Sequence, residues 1–178
     1  MATGTRTSAR ERAQARQADA GPRWLDAGQQ GAWRAYIMGT TLLLDRLDRD
    51  LRQAWDISLT EYEILVRLSE QPDRSLRMAL LADALCHSRS RITHTIARME
   101  KAGLVGRTAA EGDRRGVVAT MTDAGRDLLA KAAPTHVEGV REHLVDLASR
   151  ADFDAVGRVF NVVSDRLMQG HDAATDIR

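Results

Sequence analysis

The sequence is poor in the residues that brace or break small folds. It has one cysteine, Cys86, three prolines and only 4% aromatic residues. A single cysteine cannot close an internal disulfide, so no disulfide framework holds this fold, and a reducing cytoplasm is the expected setting. Few prolines among abundant Ala, Leu and Arg favour helix throughout. No run approaches the roughly 18 unbroken apolar residues of a membrane span. No apolar leader core follows Met1, where the chain reads Met-Ala-Thr-Gly-Thr-Arg, so no membrane contact is expected. Charge of one sign is not in excess either: the net charge is +1, with 43% hydrophobic and 29% charged residues. That is the composition of a soluble globular chain, one compact domain or a small domain with helical extensions.

Catalytic signatures are missing too. His87, His94, His136, His143 and His171 show no His-Glu-x-x-His spacing, and there is no Gly-x-Ser-x-Gly elbow and no phosphate loop. The scattered acids give no pair that can be placed together. The expectation is therefore no enzyme, no cofactor and no metal.

What is present is helical periodicity around a short basic centre. Residues 1–22 are polar, carry Arg6, Arg10, Arg12 and Arg16, and end at Gly21-Pro22. They read as a flexible tail, or as a basic arm touching a polyanion. From Trp33 the residues Ile37, Thr40, Leu44, Leu47, Leu51 and Trp55 step by three and four along one long helix,. Thr60 and Glu63 then suggest a capping box ahead of Ile64, Leu65 and Leu68, with a stop near Gln71-Pro72-Asp73,.

Two short helices follow. One holds Met78, Leu81, Ala82 and Leu85; the other starts at Ser88 as N-cap and runs to Lys101, with Gly103 just beyond,. Only Cys86 and His87 separate them, which is the helix-turn-helix pattern. Cys86 falls at an apolar position and reads as a buried, inert thiol. After Gly103, Leu104-Val105 and Val117–Met121 read as two strands around a turn-rich Ala109–Gly116 stretch, a β-hairpin whose tip presents arginines. Thr122 caps a further helix through Leu129, Ala133, Val137, Val140, Leu144 and Leu147, with Pro134 as a kink. A last helix carries Phe153, Val156, Phe160, Val163 and Leu167. The fold class is mainly α with a small β-hairpin.

The stretch from Ser88 to Arg115 holds seven basic residues against Glu100, Glu111 and Asp113, a local basic patch inside a near-neutral chain. On a helical wheel, Ile92, Ile96 and Met99 face a core, while Ser90, Arg91, Thr93, His94, Arg98 and Lys101 face outward. That outer face has no acid. It reads either as a solvated surface or as a face for base edges and phosphates, and the adjoining helix and hairpin favour the second. At the hairpin tip, Asp113 and Arg115 lie two apart, so the carboxylate can aim the guanidinium. Such a pair suits a narrow minor groove, or else is a surface salt bridge. A helical interaction module would explain the long helices but not the arginine tip.

These residues carry a resemblance. Leu80-Leu81-Ala82, Ser88-Arg89-Ser90, Ile92-Thr93, Arg98-Met99-Glu100, Gly103-Leu104-Val105, Arg107, Asp113-Arg114-Arg115-Gly116 and Thr122-Asp123-Ala124-Gly125 resemble the MarR (multiple antibiotic resistance regulator) family over roughly Trp33–Leu167. The resemblance implies a winged helix-turn-helix homodimer, probing double-stranded DNA with the Ser88–Lys101 helix in the major groove and the wing in the minor groove. It implies DNA contacts from Ser88, Ser90, Arg91, Thr93, His94, Arg98, Asp113, Arg114 and Arg115. The implied layout is a tail at 1–22, a dimerisation helix at 23–56, the DNA-binding domain at 57–121, dimerisation helices at 122–170 and a tail at 171–178. Most such proteins are repressors released by a small phenolic or carboxylate effector, for which Arg34, Tyr36 and Tyr62 are candidates; the alternative is packing for the two tyrosines and a plain surface position for Arg34.

Overall fold

The computed structural model describes residues 21–110 and 112–168, without the side chains of Arg114 and Arg115. The expected tails, apart from Gly21 and Pro22, and those two arginine side chains lie outside the described residues. The chain divides into two compact units, 1–40 and 41–178.

Helix α1 (Ala27–Trp55) begins six residues before the Trp33 at which the apolar spacing starts. In the first unit Asp26 opens it reciprocally: its carboxylate accepts from Gln29 N–H at 2.8 Å and its own N–H donates to Gln29 Oε1 at 3.0 Å. In the second unit only Leu47 and Leu51 of α1 are buried.

Helix α2 (Leu59–Ser69) starts two residues earlier than its sequence suggests. Ser58, not Thr60, is the N-cap, and Glu61, not Glu63, closes the capping box. The reason is burial. Glu61 sits inward beneath the helix start, within reach of Ser58 N–H and Oγ, both at 2.7 Å. Asp48 of α1 accepts from Leu59 N–H at 2.8 Å and Ser58 Oγ from Glu61 N–H at 3.2 Å, so two of the first-turn N–H groups are satisfied by side chains,.

A three-residue strand β1 (Ser75–Arg77) leads into α3 (Met78–Ala84). The turn to α4 (Arg89–Lys101) is Leu85-Cys86-His87, with Cys86 at φ +52° and His87 N–H donating to Ala82 C=O at 2.9 Å. Ser88 caps α4 by accepting from Arg91 N–H at 3.2 Å, and Gly103, at φ +74°, supplies the left-handed turn that ends it,.

Strands β2 (Val105–Ala110) and β3 (Asp113–Met121) pair antiparallel, and β1 joins the other edge of β3. The sheet order is β1-β3-β2. The expected hairpin is thus part of a three-stranded sheet, and its ladder continues to Ala110↔Asp113 through an irregularity at Ala109/Ala110. Strand content in that polar stretch comes from cross-strand pairing, which single-strand alternation does not reveal.

Helix α5 (Asp123–His143) follows, uninterrupted at Pro134. Leu144 leaves the helix at φ −142°, so Leu147 lies in a 3-10 turn (Val145–Leu147) rather than on the expected stripe. Helix α6 (Arg150–Met168) has no buried residue.

One core gathers Ile64, Leu65 and Leu68 of α2, Leu81 of α3, Ile92, Ile96 and Met99 of α4, and Leu76, Val105, Ala119 and Met121 of the sheet. Full burial of each large side chain contributes about 1.5–3 kcal/mol. A second cluster joins Leu51, Ile57, Tyr62 and Ala132. Trp55 Nε1 donates to Thr135 Oγ1 at 2.9 Å beside it.

Gly125 is where the first turn of α5 packs against Leu104, the residue before β2. A Cβ there would stand 2.2 Å from Leu104 C=O, and that same oxygen accepts from Thr122 N–H and Oγ1, both at 3.0 Å. The Thr122–Gly125 turn is a close-approach joint between wing and helix.

Candidate nucleic-acid interface

Helix α4 has two chemically opposite faces. Ile92, Thr95, Ile96 and Met99 are buried; Thr95 is tolerated there because its hydroxyl donates to Arg91 C=O at 3.0 Å. Ser88, Arg89, Ser90, Arg91, Thr93, His94, Arg98 and Lys101 are all exposed. The wheel reading of the helix is matched position by position, with Thr95 added to the inner side.

The exposed groups are not equally committed. Ser88 Oγ is occupied as the cap, and Thr93 Oγ1 donates to Arg89 C=O at 2.8 Å. Arg91 reaches Thr60 Oγ1 at 3.4 Å. Arg98 Nε donates to Glu61 Oε1 at 2.8 Å, a carboxylate buried under the α2 cap. A guanidinium held by one edge on a buried anion has a defined direction for its other edge.

Burial pushes the Glu61 carboxyl up, but the bonds from Arg98 and from Ser58 N–H and Oγ outweigh it and hold the group below its ordinary range. Its neighbour Glu63 goes the other way, raised by burial against weaker pulls from Arg67 and Arg91. His87, at the entrance to α4, is lowered by burial and by Arg91.

In the wing, Asp113 Oδ2 accepts from Arg77 Nη1 at 3.0 Å. The sequence offers Arg115 as its partner, a side chain outside the described residues; the structure shows Arg77, which reaches it from β1. Gly116 must lack a side chain, since a Cβ would meet Asp113 Oδ2 at 2.7 Å and Ala110 Cβ at 2.8 Å. Arg107 Nε donates to Glu100 Oε2 at 2.9 Å, tying β2 to the end of α4.

Two residues escaped the sequence reading. Arg77 lies in a three-residue strand too short to show alternation, and Glu61 is an acid one position from an expected cap. For Arg77 no sequence signal was available; for Glu61 the Ser58-x-x-Glu61 spacing was.

Cys86 corrects an expectation. It is exposed, not buried, because the left-handed turn swings it outward from the apolar position that spacing assigns it. Among the effector candidates, Arg34 is exposed and donates to Gln30 Oε1 at 3.4 Å. Tyr36 is exposed, with its ring 5.7 Å from that of Trp33. Tyr62 is buried, its ring centroid 4.5 Å from His136. Burial lowers His136, whose Nδ1 is buried without a hydrogen-bond partner.

Among the described residues no helix is long and apolar enough to cross a membrane, and no group of His, Cys, Asp and Glu could hold a metal ion.

Comparison with known proteins places this geometry. The MarR family profile matches residues 57–117, the stretch holding α2, the helix-turn-helix and most of the wing. The HTH-type transcriptional regulator PecS of Dickeya dadantii (strain 3937) is 31% identical over 113 residues, 61% of this chain and 68% of that protein. Sco3205 of Streptomyces coelicolor, a MarR family regulator solved in complex with DNA, is 40% identical with a TM-score of 0.79, covering 82% of this chain and 92% of that one. AbsC, a MarR family regulator of the same organism, is 39% identical with a TM-score of 0.77, covering 83% and 99%. These relatives are regulators rather than enzymes. With an exposed, acid-free α4 face beside an arginine-bearing wing, this chain belongs to the MarR family of DNA-binding transcriptional regulators.

Proposed function

We propose that the protein is a cytoplasmic repressor that binds a pseudo-palindromic operator as a homodimer and is released by a small phenolic or carboxylate effector. The observation that carries the reading is the outer face of α4. It presents Ser90, Arg91, Thr93, His94 and Arg98 without a carboxylate, and Arg98 is aimed by Glu61. Such groups suit base edges and phosphates of a major groove. The solved DNA complex of Sco3205 supports the same role for this fold. On this reading residues 57–121 contact DNA, with Ser88 fixing the helix start, and Asp113, Arg114 and Arg115 form the minor-groove tip.

Dimerisation is supported by apolar surface left uncovered in one chain. Val156, Val159, Val162, Val163 and Leu167 of α6 are all exposed, and such stripes find one another across a two-fold axis. Residues 23–56 and 122–170 are the proposed dimerisation segments. Two-fold symmetry sets half-sites about one helical turn apart. The candidate effector contacts are Arg34 and Tyr36, both exposed in the first unit, and Tyr62, buried in the second.

Selection of binding sites from random duplexes, followed by anisotropy titration, tests the reading. The expected result is an inverted-repeat consensus, an affinity falling steeply with salt, and a much weaker scrambled duplex. Arg115→Ala should lower affinity and reduce the salt slope by about one. Equal affinity for scrambled duplex, or indifference to salt, would overturn it.

A further inference from the structure

Between the wing and α4 lies a groove of about 440 Å³. Three arginines from three elements line it: Arg77 of β1, Arg89 at the start of α4 and Arg107 of β2. The lining has one carboxylate, Asp113. Two of the cations are braced, Arg77 by Asp113 at 3.0 Å and Arg107 by Glu100. Arg89 is exposed and forms no ion pair among the described residues. The groove therefore presents an excess of guanidinium, two of the three aimed by neighbours and the third uncommitted.

The position of the groove says what would fill it, given the function proposed above. If α4 occupies a major groove and the wing tip the adjacent minor groove, the two are separated by one sugar–phosphate strand. That strand must cross the surface between α4 and the wing. We propose that this groove is a seat for the phosphodiester backbone of the duplex, with Arg89 as its principal cation and Arg77 and Arg107 flanking it. Guanidinium forks match phosphate oxygens in pairs. Phosphate contacts position a protein on DNA without reading sequence, so the seat contributes affinity and register, not base preference.

The test uses the full chain, wild type and Arg89→Ala, with the selected operator and a scrambled duplex at several salt concentrations. Thermal melts check that the variant, altered at an exposed site, keeps its fold. Arg89→Ala should weaken both duplexes by the same factor and lower the salt slope by about one. Placing one uncharged methylphosphonate at successive backbone positions should find a position that weakens wild type but adds nothing to Arg89→Ala. Unchanged isotherms on both duplexes would overturn the seat, as would a loss confined to the operator at constant slope. Inorganic phosphate that raises the melting temperature of wild type but not of Arg89→Ala, with DNA binding equal in both, would reassign the groove to a free anion. Failure of wild type to bind any duplex would instead bring down the underlying functional reading.

Discussion

Glu61 and Arg98 meet at 2.8 Å with opposite exposures: the carboxylate side chain is 7% exposed and the guanidinium 61%. A buried anion at the cap of α2 thereby orients an outward cation on α4, the helix proposed to enter the major groove. An exposed ion pair contributes little. This one differs because one partner is desolvated and is also held by Ser58 N–H and Oγ.

Glu61→Gln should therefore do two things. It should cost about 1–3 kcal/mol of stability, the scale of a charged buried hydrogen bond, and it should reduce the operator-to-scrambled affinity ratio by loosening Arg98. The pH dependence follows from the lowered carboxyl. A carboxylate depressed in the folded state stabilises fully above its unfolded value, about 4.3, and that stability is lost as pH falls through the folded value. The gap between wild type and variant in chemical denaturation should be flat above about pH 5 and shrink below it. A gap that grows on acidification would contradict the assignment.

His136 predicts a loss of stability on acidification as well, but in a higher pH window. Its burial lowers the imidazole, so the folded state binds fewer protons than the unfolded one below about pH 6.5. Stability should fall as pH drops through that window. His136→Phe keeps a ring against Tyr62 and removes the titration. Denaturation midpoints of this variant should change less between pH 7.5 and pH 5.5, the interval on either side of the free imidazole value. Equal changes in both proteins would exclude His136 as a contributor.

Gly125→Ala should be among the most damaging single-methyl additions. The new carbon would lie 2.2 Å from a backbone carbonyl that Thr122 already holds twice, so no flexible side chain can yield. A loss on the order of 3 kcal/mol is expected in urea denaturation. A loss below about 1 kcal/mol would show that the wing and α5 can separate there.

Cys86 should react with a thiol reagent such as Ellman's reagent in the native state, without denaturant, because its side chain is exposed. Cys86→Ser should abolish that reaction and leave operator affinity unchanged. A thiol that reacts only after unfolding would restore the buried reading.

The order of elements, the cap at Ser88, the inner and outer faces of α4 and the family resemblance were all legible along the chain. Each depends on residues a few positions apart, and helical spacing or a cap carries that information locally. Three features were not legible. Strand β1 exists only because Ser75–Arg77 pair with Thr120, Ala119 and Val118. Arg77 reaches Asp113 from 36 residues away, and Arg98 reaches Glu61 from 37. Cys86 was misplaced because its backbone turns left-handed at a position whose spacing reads as apolar.

The amino-acid sequence alone determined that this is a winged helix-turn-helix with an acid-free outer face on α4, since periodicity and turn residues are properties of neighbours. The tertiary structure decided which charges hold that face in place. Ion pairs between distant segments depend on where packing leaves two side chains, and on whether one of them is desolvated enough for the pairing to matter.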